Sequence, residues 1–147
     1  MTASIQVILD GAPIGKGRPR FSFRSKFPRA YTPAKTRSYE ARLRGAAIKA
    51  MGSRKPFDGA MWVTVNAWLP IPASWSAIKR RRALSGDIRP TGRPDIDNIV
   101  KAACDALNGI VWTDDSRITE LSVYKSYSDL PSLVINAHPA RTTGKGA

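Results

Sequence analysis

The sequence predicts an α+β fold, a mixed or antiparallel sheet packed with helices. Three observations carry that expectation. Runs that read as strands stand at Ser4–Asp10 and 61–69, and again at Arg117–Tyr127 and Ser132–Ala137. Apolar residues at the 3, 4 and 7 spacing of a helix face occupy the intervals between them. The resulting order is a strand, a basic loop, a helix, a strand, two helices and two strands, with no internal repeat. A chain of 147 residues is most simply one domain, expected over 1–138. The polar, Gly-containing segment 139–147 reads as a frayed tail.

In the first strand, Ile5, Val7 and Leu9 share one face. Gly11 to Pro19 is a Gly- and Pro-rich loop carrying Lys16 and Arg18, and Arg20 comes next. Phe21, Phe23 and Phe27 then interleave with Arg24, Lys26 and Arg29 as far as Tyr31. Cations mixed with aromatics suit phosphate contact and base stacking. The plainer alternative is a twisted hairpin with its aromatics in the core and its charges in water. Thr32-Pro33 is a helix start, Tyr39, Leu43, Ala46, Ala47, Ala50 and Met51 mark a face, and Gly52 is the stop. The polar side of that helix holds Lys35, Arg37, Arg42, Arg44 and Lys49 against Glu40 alone, which suits either a solvated or a DNA-facing side.

Met61, Val63, Val65, Ala67 and Leu69 alternate with Trp62, Thr64, Asn66 and Trp68. Large apolar groups on both faces predict a central strand, ended by Pro70-Ile71-Pro72. Ser74 opens a short helix that holds the densest basic run, Lys79-Arg80-Arg81-Arg82, with Arg89 and Arg93 beyond it. The run matches a nuclear-localisation pattern, but a phosphate-gripping segment beside the carboxylates at 95 and 97 is better motivated. Ile96, Ile99, Val100, Ala103 and Leu107 form the apolar face of the next helix, stopped by Asn108-Gly109. Asp97 is placed as its N-cap, and Asp105 as the partner of Lys101 one turn away.

Charge narrows the function. The chain carries 24 Lys and Arg against 11 Asp and Glu, a net +13 with an isoelectric point near 10.6. Thirteen of the basic residues fall within 1–55, beside only Asp10 and Glu40. Residues 95–130 reverse this, with seven acidic residues and only Lys101, Arg117 and Lys125. A basic surface attracts a polyanion, and an acidic pocket within it would repel that polyanion unless cations bind there. An anionic membrane is the weaker partner, because no apolar run approaches the ~20 residues needed to span. Nor does the N-terminus lead into an apolar stretch, so cytoplasmic residence is expected. With Cys104 as the one cysteine and His138 as the one histidine, a Cys/His zinc site is excluded, and Cys104 reads as packing.

Two carboxylate pairs, Asp95 with Asp97 and Asp114 with Asp115, bracket the helix that carries Lys101. The short link after Gly109 can return the second pair toward the first. Hard oxygen donors suit Mg²⁺, with Mn²⁺ as a substitute. A nucleic-acid phosphodiesterase needs both a basic surface and such an acidic pocket. The bland alternative is that Asp95 and Asp97 cap a helix while Asp114-Asp115-Ser116 makes a turn.

The stretch Arg-Pro-Asp-Ile-Asp-Asn-Ile-Val-Lys-Ala-Ala from Arg93, with Asp-Ala-Leu-Asn-Gly from Asp105 and Trp-Thr-Asp-Asp-Ser from Trp112, closely resembles RusA-type Holliday-junction resolvases. Glu120 and Lys125 extend the match. Gly-Lys-Gly-Arg-Pro-Arg-Phe from Gly15 and Tyr-Thr-Pro-Ala-Lys-Thr-Arg-Ser-Tyr-Glu from Tyr31 look like the phage and prophage branch of that family. The resemblance implies a RusA-like fold and gives metal-ligand roles to Asp95, Asp97 and Asp115 and an essential role to Lys101. Asn98 and Asp114 stand beside these residues and would assist through a water or a hydrogen bond. Lys16, Arg18, Arg20, Arg24, Lys79, Arg80, Arg81, Arg82 and Arg93 are the expected DNA contacts.

The expected activity is Mg²⁺-dependent resolution of four-way DNA junctions by paired symmetric nicks, in recombination and repair. Two opposed nicks and one carboxylate cluster per chain imply a homodimer, with the strands at 61–69 and 117–127 as candidate interfaces. Two alternatives stand beside this reading: a flap- or fork-selective nuclease, and an architectural DNA-binding protein without catalysis.

Overall fold

The computed structural model describes residues 3–16, 20–22, 29–31 and 34–141, with the two short segments described by backbone alone. Four strands form one mixed sheet in the order β1-β6-β4-β5: β1 (Ile5–Asp10), β4 (Met61–Pro70), β5 (Ile118–Ser128) and β6 (Ser132–Pro139). The β1–β6 and β4–β6 pairs are antiparallel and the β4–β5 pair is parallel. The α+β expectation holds. So does the central place of β4, whose two edges are both taken; only β5, of the two strands considered for a dimer interface, has a free edge.

A parallel pair cannot be joined by a tight turn. The crossover between β4 and β5 accordingly holds two helices, α2 (Ala77–Leu84) and α3 (Ile96–Leu107). The first helix, α1 (Ala34–Met51), precedes β4. One apolar cluster joins Tyr39, Leu43, Ala47 and Met51 of α1 and Ile99, Ala103, Ala106 and Leu107 of α3 to Val63, Val65, Leu133 and Ile135 of the sheet. The three alanines among these contacts keep the helices and sheet close. On the other face of β4, Trp62, Thr64, Asn66 and Trp68 are partly exposed.

Several elements differ from expectation. Two three-residue strands, β2 (Arg20–Ser22) and β3 (Arg29–Tyr31), pair antiparallel where a loop was expected. This is the hairpin alternative at the level of the backbone. Phe23, Arg24, Lys26, Phe27, the Thr32-Pro33 helix start and Arg18 lie outside the described residues, as does 142–147. Helix α2 begins at Ala77 rather than Ser74, because Ser76 is its cap and accepts from the Lys79 amide at 3.2 Å. Asp95, not Asp97, is the N-cap of α3, which puts Asp97 in the first turn. A short 3-10 turn, Asp115–Arg117, precedes β5. At the same end of the sheet the Ala140 amide donates to the Ala60 carbonyl at 2.8 Å, holding the chain just past β6.

The link from α3 to β5 is held by Trp112. Gly109 adopts a positive φ of 79°, open to glycine at little cost, and its amide donates to the Trp112 carbonyl at 2.7 Å. The Trp112 ring is fully buried, and its indole N–H donates to Asn108 Oδ1 at 2.6 Å. Phe57 and Val111 share a further backbone bond, and Thr113 donates back to the Phe57 carbonyl. Replacing Trp112 by Ala should therefore cost about 3–5 kcal/mol. Urea denaturation measures it, and a loss under about 1 kcal/mol would show that the ring does not hold this turn.

Candidate active site

Helix α3 buries Ile99, Ala102, Ala103, Ala106 and Leu107 and leaves the opposite side to solvent. At 100° per residue, Asp97, Lys101 and Cys104 fall within about 60° of one another on that outer side. Val100 flanks them on one side, and Asn98 and Asp105 on the other.

The N-terminus of α3 is seated against the loop that leaves β1. The Lys16 amide donates to the Asn98 carbonyl at 3.0 Å. Beside it, a Cβ on Gly15 would come 2.8 Å from Pro94 Cβ and 3.0 Å from Asn98 Cβ, so only glycine permits this approach. The Lys16 ammonium meets Asp105 Oδ2 at 2.6 Å and Glu40 Oε1 at 3.1 Å, which ties the loop to both α3 and α1. Burial opposes the charge on Lys16, but the bonds to Asp105 and Glu40 outweigh it and raise the ammonium above the ordinary lysine value of 10.5. The contribution of this contact to stability is thus complete below 10.5 and fades as pH rises through the higher folded value. One expectation is corrected here. Asp105 pairs with Lys16 rather than Lys101, because a cation from the adjoining loop reaches it directly. Lys16, expected on DNA, has its charge engaged within the protein.

Around this seam opens a cavity of about 700 Å³, with Gly15, Lys35, Arg93, Asp95, Asp97 and Asn98 among its lining residues. Asp95 has the extended backbone of an N-cap, φ −73° and ψ 152°, yet its side chain makes no capping bond. Aspartates at this position commonly accept from the free amides of the first turn. The carboxylate of Asp95 is left for other partners. The segment entering the cavity is pinned from β5, where Lys125 Nζ donates to the Gly92 carbonyl at 2.7 Å and Arg89 donates to the Lys125 carbonyl at 3.1 Å.

The second carboxylate pair divides its work. Asp114 caps the 3-10 turn, accepting from the Ser116 amide at 3.0 Å, and the Ser116 side chain together with that amide holds its carboxyl below the ordinary range. Asp115 lines a separate depression of about 290 Å³ with Val100, Cys104, Ile118, Glu120 and Leu121. Burial, with the nearby charges of Asp115, Asp105 and Asp114, pushes the Cys104 thiol up to about 11. The thiol is therefore unreactive at neutral pH, as its packing role implies, and the outer side of α3 lies in a field of negative charge. Asp95 and Asp97 share one cavity and Asp115 sits in the next. Among the described residues, no three Asp, Glu, His or Cys side chains converge as a ready metal cage. The donor chemistry still fits a hard cation, since Mg²⁺ is commonly held by one or two carboxylates, with waters and phosphate oxygens completing its shell.

Residues 10–137 match the family described as Endodeoxyribonuclease RusA. The chain belongs to the RusA endodeoxyribonuclease family. A relative, the uncharacterized protein YqaN of Bacillus subtilis (strain 168), is 34% identical over 135 residues, covering 89% of this chain and 93% of that protein. RusA enzymes act on branched DNA, and membership implies a junction-resolving endonuclease. Among the described residues no helix is long and apolar enough to cross a membrane.

The expected DNA contacts are distributed unevenly about this candidate site. Arg93 lines the cavity itself. On α2, Arg80 is paired with Asp129, while Lys79 lies 4.1 Å from the centre of the Trp75 ring, which in turn packs edge-on against Tyr127. Arg81 and Arg82 are exposed. Arg20 is described by backbone alone, and Arg18 and Arg24 lie outside the described residues.

The seating of α3 depends on Gly15, a residue that no motif in the sequence marks for this role. Gly15→Ala should destabilise the fold by about 1–3 kcal/mol, since neither Pro94 nor Asn98 can swing aside. Gly45→Ala, on α1 with nothing within 4 Å of the added methyl, should instead stabilise by about 0.5–1 kcal/mol. Equal effects in parallel urea melts would contradict this packing.

Proposed function

We propose that the chain is a Mg²⁺-dependent endonuclease that resolves four-way DNA junctions by paired symmetric nicks, acting as a homodimer with one site per protomer. The observation that carries this reading is the shared cavity of Asp95 and Asp97, which also contains Arg93 and Asn98. Two carboxylates without an ion pair among the described residues, in a +13 protein, need a cation before a phosphodiester can enter.

Asp95 and Asp97 would hold the metal, and Asp115 would join them from the neighbouring depression as third ligand. When bound, Mg²⁺ supplies Lewis-acid stabilisation of phosphoryl oxygens and lowers the pKa of an attacking water. Lys101, one helical turn from Asp97 on the same outer side, places an ammonium where negative charge builds in the transition state. Arg93, in the lining of that cavity, holds a phosphate of the substrate. Asn98 orients a phosphate or a ligand from within the cavity, and Asp114 keeps Asp115 in place through the turn it caps. Arg81 and Arg82 on α2 extend the basic surface and fix the register of DNA without reading its sequence. For the dimer, the free edge of β5, with Leu121 and Tyr124 exposed, is the favoured contact.

Incubation with a synthetic four-way junction, with and without Mg²⁺, tests the reading. Paired symmetric nicks are expected only with metal. Unpaired cuts in flap substrates would favour a flap nuclease, and shifted but intact DNA an architectural protein. Asp97→Asn should lower cleavage at least about 100-fold, as even residues that merely support metal ligands cost 10–100-fold. Junction affinity without metal should hold or rise slightly, because a negative charge has gone. An Asp97→Asn protein that cuts at the wild-type rate in Mg²⁺ would end the metal-site reading.

A further inference from the structure

We infer that Lys35 is a second phosphate-holding residue of this site, acting with Arg93 on the non-bridging oxygens of the scissile phosphate. The inference rests on the nuclease reading and adds an N-terminal residue to it. Lys35 is the second residue of α1, 60 positions before Asp95, yet both line the same cavity. Its side chain is exposed, and it has no ion pair or hydrogen bond among the described residues; the same holds for Arg93. Two cations and two carboxylates thus line one open space without neutralising each other.

That arrangement fits a phosphodiester whose anionic oxygens lie toward the cations and whose metal-facing side lies toward Asp95 and Asp97. Two other α1 cations are already engaged. Arg44 donates to the Ala106 carbonyl at 3.2 Å, and Arg42 lies 5.5 Å from the centre of the Tyr39 ring. The position of Lys35 relative to Asp95 is held by the Glu40–Lys16–Asp105 contact, which locks α1 to α3 five residues further along α1. An ammonium on a four-carbon stem acts there as a point charge that tracks the phosphate as its geometry changes.

Single-turnover cleavage of a four-way junction in Mg²⁺, with binding measured separately without metal, tests the role. Lys35→Ala should slow cleavage about 100-fold, the loss typical for one donor to a developing oxyanion. Its melting temperature should be unchanged, and its metal-free affinity should weaken less than about fivefold, as one contact among many. Lys35→Arg should recover most of the rate, which a purely structural role would not require. Lys55→Ala, the same charge change at an exposed turn outside the cavity, should cut like wild type. A Lys35→Ala rate equal to that of Lys55→Ala overturns the inference, as does a loss confined to affinity. Failure of the wild-type protein to cut any junction would instead overturn the nuclease reading beneath it.

Discussion

The ammonium of Lys16 enters the seam between α1 and α3, where Asp105 and Glu40 meet it at 2.6 and 3.1 Å. Without that charge, two carboxylates from neighbouring helices would face each other with only partial access to water. Beside it, the missing side chain of Gly15 lets the loop lie against Pro94 and Asn98. Ion pair and close approach act on one end of one helix. Together they set where the first turn of α3 stands, and with it Asp95 and Asp97.

The crossover accounts for the rest of the site. A parallel β4–β5 pair obliges the chain to travel back along the sheet through α2 and α3. Helix α3 buries its alanines and leucine against α1 and the sheet, so its polar residues can only face outward. The turn held by Trp112 then brings the chain back along that exposed side, placing Asp115 next to Val100 and Cys104. One helix thereby separates the cavity of Asp95 and Asp97 from the depression of Asp115, with Lys101 on the outer side between its flanks.

Much of this was legible in the sequence because it is local. The alternation of Met61 to Leu69 with tryptophans on the opposite parity is what a central strand requires, and β4 is central. The apolar period of Ile99 to Leu107 located α3, and Asn108-Gly109 its end. What lay hidden was long-range. Lys16 read as one more cation in a basic loop, since nothing near it in the chain names Glu40 or Asp105 as partners. Gly15 opens the Gly-Lys-Gly-Arg-Pro-Arg-Phe stretch, but nothing in that stretch names Pro94 and Asn98 as what packs on it. The cap of α3 was misplaced by two residues because Asp95 and Asp97 have equal propensity, and the choice falls to the backbone path out of Pro94. The apposition of Lys35 with the carboxylates depends on how α1 crosses α3, which no periodicity encodes.

On the proposed reading, the water-facing end of α3 is a divalent-metal site built on Asp95 and Asp97. The most direct measurement is a Mn²⁺ titration monitored by electron paramagnetic resonance, comparing the wild-type protein with an Asp95→Asn/Asp97→Asn variant of matched melting temperature. The wild-type chain should remove free Mn²⁺ from solution, and the double variant should lose this binding. A folded double variant that takes up Mn²⁺ as tightly as the wild type would contradict it.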